Sequence, residues 1–329
     1  MKSALIDAYG IPEQVVRCVD RHDPGDPAQG EAVIDVLAFP INPADIWFCK
    51  GQYRLRPPLP AVPGAECVGR VVAVGAGVSS PRVGDLVINL QRENWTSRRR
   101  VAATDLIPIA PDTDLAQAAM LRINPATALL LLTDLRRLQP GDWVIQNAAN
   151  SGVGRWVITL ARQMGIRTVN VVRRQSLFKD LYARGADVCV LAGSELAARV
   201  RAETDNAAIS LGLDSIGGEA TGQLGACLHD EGLICHFGAT SGQDPHLPRN
   251  ELVHRGLAIT GFMLGRFLAR RSADDVRELY QGLARLLRDP ATHVPVRQMY
   301  PLEQIRDAVR HAQQGERGGK ILVTPNGPI

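Results

Sequence analysis

Gln146-Asn147-Ala148-Ala149-Asn150-Ser151-Gly152-Val153-Gly154 is a run of small and amide residues set between two apolar stretches of different period. Ahead of it, Gly141-Asp142 opens the β-type run Trp143-Val144-Ile145; behind it, Val153, Trp156, Val157, Leu160, Ala161 and Met164 recur at helical spacing up to Gly165. A further β-type run, Thr168 to Val172, completes a strand–turn–helix–strand unit. Small residues stand where a strand turns sharply into a helix, and the helix N-terminus then offers unpaired N–H groups to a pyrophosphate. Ala149, Ser151 and Gly154 take the three glycine places of the common G-x-G-x-x-G fingerprint, with Gly152 beside them. The stretch therefore predicts a dinucleotide-binding turn built from Asn147, Ala149, Ser151, Gly152, Val153 and Gly154.

The nucleotide type follows from the end of the second strand. An acid there would accept the ribose 2′-OH of NAD, whereas this chain has Arg173-Arg174, whose guanidinium groups match a 2′-phosphate in charge and geometry. The expected cofactor is NADPH.

Outward from the turn, the rhythm is helix from Ser176, strand 187–191, helix from Ser194, strand 209–214, helix from Glu219, and strands 232–237 and 257–262. Strands alternating with helices predict a doubly wound parallel sheet. The first third is instead β-rich, with runs at 4–8, 31–37, 67–74 and 85–89 spaced as in a small barrel. Helices over 274–287 and 302–313 precede a last strand, 320–324, expected to return to the first domain. The predicted division is 1–122 with 267–329, and 123–266.

Composition narrows the partners. The 329 residues are 45% hydrophobic with a net charge of +3, too small for a nucleic-acid footprint, and lysine occurs only at Lys2, Lys50, Lys179 and Lys320. No apolar run approaches the roughly eighteen residues of a membrane span, and Met1 to Asp7 lacks a signal-type apolar core, so a cytoplasmic location without membrane or nucleic-acid partners is expected. The six cysteines and seven histidines are scattered without metal-ligand spacing, so no metal is expected.

Several segments together carry a family resemblance over essentially the whole chain. They are Ile41-Asn42-Pro43-Ala44-Asp45-Ile46 with Gly51-Gln52-Tyr53, Leu59 to Glu66, Asn124-Pro125-Ala126-Thr127-Ala128, Leu138 to Asp142, Asn147 to Gly154, Asn170-Val171-Val172-Arg173 and Gly318-Gly319-Lys320. In these the sequence resembles the zinc-free branch of the medium-chain dehydrogenase/reductases, most of all the mitochondrial-type 2-enoyl thioester reductases, with NADPH:quinone oxidoreductases the nearest relatives. The resemblance implies an α/β protein with a GroES-like β-barrel domain and a Rossmann domain. Zinc-dependent relatives have Cys where this chain has Asn42 and His where it has Ala65. It further implies Tyr53 as hydrogen-bond or proton donor to a thioester carbonyl, Asn42 and Thr127 as shapers of the nicotinamide pocket, and Phe237, Gly238, Ala239 and Lys320 as further cofactor contacts. The implied substrate is an enoyl-CoA or enoyl-acyl carrier protein thioester, with a quinone or small enone as the alternative, and the implied assembly is a homodimer. Arg98-Arg99-Arg100, and Arg266 with Arg270 and Arg271, read either as contacts for a phosphopantetheine or CoA phosphate or as solvated charge. Two positions depart from the enoyl reductase pattern: Met263 stands where Trp often follows Gly-Phe, and Leu129 where Tyr follows Thr-Ala.

Overall fold

A computed structural model describes the whole chain, Met1 to Ile329, and divides it into two units: Met1–Ile123 with Ala273–Ile329, and Asn124–Ser272.

The second unit is a six-stranded parallel sheet. Its strands run in the order Val188–Leu191, Arg167–Val172, Trp143–Gln146, Ile209–Asp214, Leu233–His236 and Ala258–Gly261. Counted along the chain this is 3-2-1-4-5-6, so the order reverses between the first strand and the fourth, and ligands of such sheets bind in the crevice beyond the strand ends at that reversal. The strands read as continuous Val, Ile and Leu because helices cover both faces of a parallel sheet. Ile145, Val169, Leu211 and Ile234 are accordingly fully buried.

The crossing back to the first unit falls after Ser272, six residues later than the sequence pattern placed it. Arg271 explains the shift: its guanidinium donates to both carboxylate oxygens of Asp134, at 2.8 and 2.7 Å, and to the carbonyl of Phe267. The segment after the last parallel strand is thereby tied to the helix Asn124–Thr133 and its C-terminal end.

The first unit is built on a seven-stranded sheet. Its main path runs Val296–Tyr300, Lys320–Val323, Glu31–Pro40, Val68–Val74, Leu86–Asn89 and Leu106–Pro108, while Arg98–Ala102 pairs with the first half of Glu31–Pro40. The closing strand joins this sheet antiparallel to the end of Glu31–Pro40, with Leu322 opposite Pro40. Lys2–Ile6 and Val16–Asp20 form a separate hairpin. Trp95 and Phe39, both fully buried, stack at the centre of the core with ring centroids 5.9 Å apart.

The arginine run Arg98-Arg99-Arg100 turns out to be strand rather than free charge. Arg98 bonds Asp35 at 2.7 Å and Asp23 at 2.8 Å, Arg99 bonds Glu93 at 3.0 Å, and Arg100 lies 3.3 Å from Glu31. Each guanidinium already has a carboxylate, which leaves the run little capacity to take up a substrate phosphate.

Candidate active site

In the second unit the turn forms as the small residues require. Ser151 caps the helix Gly152–Gln163, its hydroxyl accepting the N–H of Gly154 at 3.0 Å. The first N–H groups of the helix, at Gly152 and Val153, lack intrahelical acceptors and remain for an anion. Gly154 is required by packing: a β-carbon there would lie 2.5 Å from the carbonyl oxygen of Ala149. Ala148 takes a left-handed backbone with φ 48°, which turns the chain back over the strand end. These features fit a pyrophosphate. Arg173 is exposed and Arg174 half-buried just past the strand Arg167–Val172, where a 2′-phosphate would meet them.

The amides beside the turn serve a second purpose. Gln146 donates to the carbonyl of Gly154 at 2.9 Å and to Asn170 at 2.8 Å, and Asn170 passes its own N–H₂ to Val188 and Thr168. This buried chain fixes three adjacent strands in register at the turn. Asn147 reaches across the reversal point, donating to Asp214 at 2.6 Å while accepting the N–H of Ser215 at 2.7 Å. Asp214 is fully buried and also accepts from Thr221, His236 and the N–H groups of Ile216 and Gly217. Burial alone would raise its pKa, but these hydrogen bonds, led by His236 and Asn147, outweigh it and hold the carboxyl well below the usual range. Phe237, Gly238 and Ala239 follow the next strand, and a β-carbon at Gly238 would meet the Ser215 hydroxyl at 2.7 Å, so that segment lies flat on the Ser215 loop. Thr127 is buried within the helix Asn124–Thr133.

The first unit joins Asn42 and Lys320 in a way their sequence positions conceal, with Tyr53 linked to Asp45 of the adjoining helix through Arg92. Asn42 precedes the helix Pro43–Cys49, and its backbone N–H is taken by Asp45 at 2.9 Å. Its side chain does not cap the helix; it is buried, donating to Glu66 at 2.8 Å and accepting from the Lys320 ammonium at 2.6 Å. Lys320 is thus turned inward onto Asn42. Glu66, fully buried, also accepts the N–H of Ile123 at 2.8 Å. Burial pushes its carboxyl up to about 7 against the pull of Lys320 and Asn42, and burial pushes Lys320 down to about 8 against the pull of Glu66. Asp45 is likewise raised by burial, with Arg92 opposing.

Tyr53 follows this helix, its N–H bonded to the carbonyl of Trp47 at 3.1 Å and its ring half-buried against the core. Its hydroxyl has no hydrogen-bond partner within the chain and is free to donate to a ligand. Arg92 covers the ring, with Cζ 4.9 Å from the centroid. Glu66, Asp45 and Arg92 carry no sign in the sequence: the first two lie in short motifs with no charged partner nearby in the chain, and Arg92 sits in an ordinary polar loop. No three His, Cys, Asp or Glu side chains converge in metal-ligating geometry.

Residues 28–105 match the model of the alcohol dehydrogenase GroES-like domain, and residues 152–285 that of the zinc-binding dehydrogenase family. The chain is 37% identical to the rat mitochondrial enoyl-[acyl-carrier-protein] reductase over 84% of its own length and 76% of the relative's. Among solved structures it is similar to a Bacillus thuringiensis protein described as an NADPH:quinone reductase, with 27% identity, a TM-score of 0.90 and 98% of each chain covered. A mycobacterial protein solved with NADPH shares 26% identity and a TM-score of 0.87, over 99% of this chain and all of that one. The GroES-like and Rossmann halves, the fit of the turn to NADPH and these likenesses agree: the chain belongs to the medium-chain dehydrogenase/reductase superfamily and is an NADPH-dependent oxidoreductase.

Proposed function

We propose that the protein reduces the C=C bond of an α,β-unsaturated thioester, an enoyl group carried on CoA or an acyl carrier protein. The observation that carries this is Tyr53, whose hydroxyl has no partner in the chain while its ring is held from both sides by the core and Arg92. NADPH, when bound, supplies a hydride, and the residues at 147–154, Arg173, Arg174 and the segment 237–239 would hold it. Addition of hydride to the β-carbon moves an electron pair onto the thioester carbonyl oxygen. A fixed phenol donor stabilises the resulting enolate more than the starting carbonyl, which is the differential interaction that lowers a barrier. The α-carbon then takes a proton, from Tyr53 or from solvent. Asn42, locked between Glu66 and Lys320, keeps the helix before Tyr53 in place rather than reacting itself.

A second reading, reduction of a quinone, is favoured by the likeness to the Bacillus thuringiensis protein. NADPH oxidation measured with crotonyl-CoA, 1,4-benzoquinone and 9,10-phenanthrenequinone separates the two. The proposal expects crotonyl-CoA to give the highest kcat/KM; turnover of the quinones alone would replace it with the second reading.

A further inference from the structure

Arg92 is half-buried yet has nothing to saturate it, unlike the arginines of the strand that follows its loop. Arg98, Arg99 and Arg100 each lie against a carboxylate at 3.3 Å or less. The Arg92 guanidinium approaches a single acid, Asp45, with Nη2 3.8 Å from Oδ1, beyond hydrogen-bond reach. None of its N–H groups finds an acceptor in the chain. Asp45 Oδ1 is correspondingly a buried oxygen without a hydrogen-bond partner. Such an atom calls for a reason, because leaving it unpaired costs free energy. Its reason here is position: the carboxylate attracts the guanidinium from below while Tyr53 holds it from the side, at 4.9 Å.

The loop that carries Arg92 is firmly held. The Arg92 carbonyl accepts from Arg99 at 3.2 Å, Gln91 donates to Asp105 at 2.7 Å, and Asn94 joins Asn89 at 2.8 Å and the Gln91 carbonyl at 2.7 Å. A cation with five unused donors is therefore fixed beside the one phenol whose hydroxyl the mechanism needs.

We propose that Arg92 is a second catalytic donor, hydrogen-bonding the same thioester carbonyl oxygen that Tyr53 addresses, with Asp45 as its positioning residue. As hydride adds to the β-carbon, the electron pair arriving on that oxygen meets a guanidinium that keeps all its protons, so the proton for the α-carbon still comes from elsewhere. The charge-assisted bond strengthens as the enolate forms. This inference rests on the enoyl reductase reading.

The test uses Arg92→Met, Arg92→Lys, Tyr53→Phe and the Tyr53→Phe/Arg92→Met double variant of the full chain. For Arg92→Met, kcat on crotonyl-CoA is expected to fall by about 10²-fold, as for loss of one oxyanion donor, with NADPH affinity held. Arg92→Lys should recover part of the loss because it restores the cation without the fork. Two donors to one oxygen act as a unit, so the double variant should lose less than the product of the single losses. An unchanged kcat in Arg92→Met overturns the proposal, as do losses that multiply independently or fall equally on crotonyl-CoA and benzoquinone. If the unaltered protein does not reduce crotonyl-CoA, the enoyl reading fails and takes this one with it; if Tyr53→Phe slows that reaction and Arg92→Met does not, only Arg92 is misassigned.

Discussion

The phosphate turn of the second unit and the Tyr53 region of the first solve opposite problems. At the turn, nine consecutive residues supply everything, and the demand is for small size: Ser151 caps, Ala148 turns, and Gly154 lets the helix approach Ala149. Around Tyr53 the site is assembled from residues 42, 45, 53, 66, 92 and 320, and the demand is for charge balance in a dry interior. Asn42 and Lys320, bonded at 2.6 Å, are 278 positions apart in the chain. A phosphate turn needs mainly backbone, which a short motif encodes, whereas the polar cluster of the first unit needs side chains that only tertiary structure brings together.

The largest effect should come from unbalancing that interior. Lys320→Met removes the cation that opposes the burial of Glu66 and the donor to Asn42 Oδ1, and a buried charge left without compensation costs about 3–5 kcal/mol. Glu66 has its carboxyl raised from 4.5 to about 7, so its contribution to stability is fully present at low pH and is lost as pH rises through about 7. Without Lys320 the rise is larger, and Lys320's own cost, incurred as pH falls through about 8, is gone. Denaturant unfolding should therefore show a smaller deficit for the variant at pH 5 than at pH 8. A deficit independent of pH would mean that the pair is not what balances this core.

Tyr53→Phe comes next and sharpens the contrast between binding and chemistry. With NADPH affinity and melting temperature nearly intact, kcat on an enoyl thioester should fall by roughly 10²-fold or more, and turnover of a quinone, which takes its protons from water, much less. Equal rates for variant and parent would make Tyr53 a pocket wall.

The smallest of the three acts at the turn side. Arg173→Ala removes an exposed cation and should weaken NADPH relative to NADH by about 1–3 kcal/mol, read from the two dissociation constants. Equal affinity of the unaltered protein for both nucleotides would remove the basis of that assignment.

What the sequence disclosed follows the same division. The parallel strands were legible because burial on both faces makes them unbroken apolar runs, and Ile209–Asp214 falls where its pattern puts it. Arg98–Ala102 was hidden because it opens with three arginines, each held by a carboxylate, so charge replaced the alternation that marks a strand. Leu106–Pro108 and Val296–Tyr300 are short or exposed strands with little apolar signal. Tyr53 stood out only through its motif. Arg92 had no local sign at all, since its significance lies in the 4.9 Å to a ring from another segment. Lys320 was legible as a marked position, but its inward direction onto Asn42 depends on a strand pairing that spans the chain.

The central claim, hydride reduction of an enoyl thioester, is tested most directly by following the hydrogen. Crotonyl-CoA incubated with NADPH deuterated on the transferable face of the nicotinamide should yield butyryl-CoA one mass unit heavier, with the label on the β-carbon. Consumption of the labelled NADPH without labelled butyryl-CoA, or with the label at the α-carbon, would contradict the account.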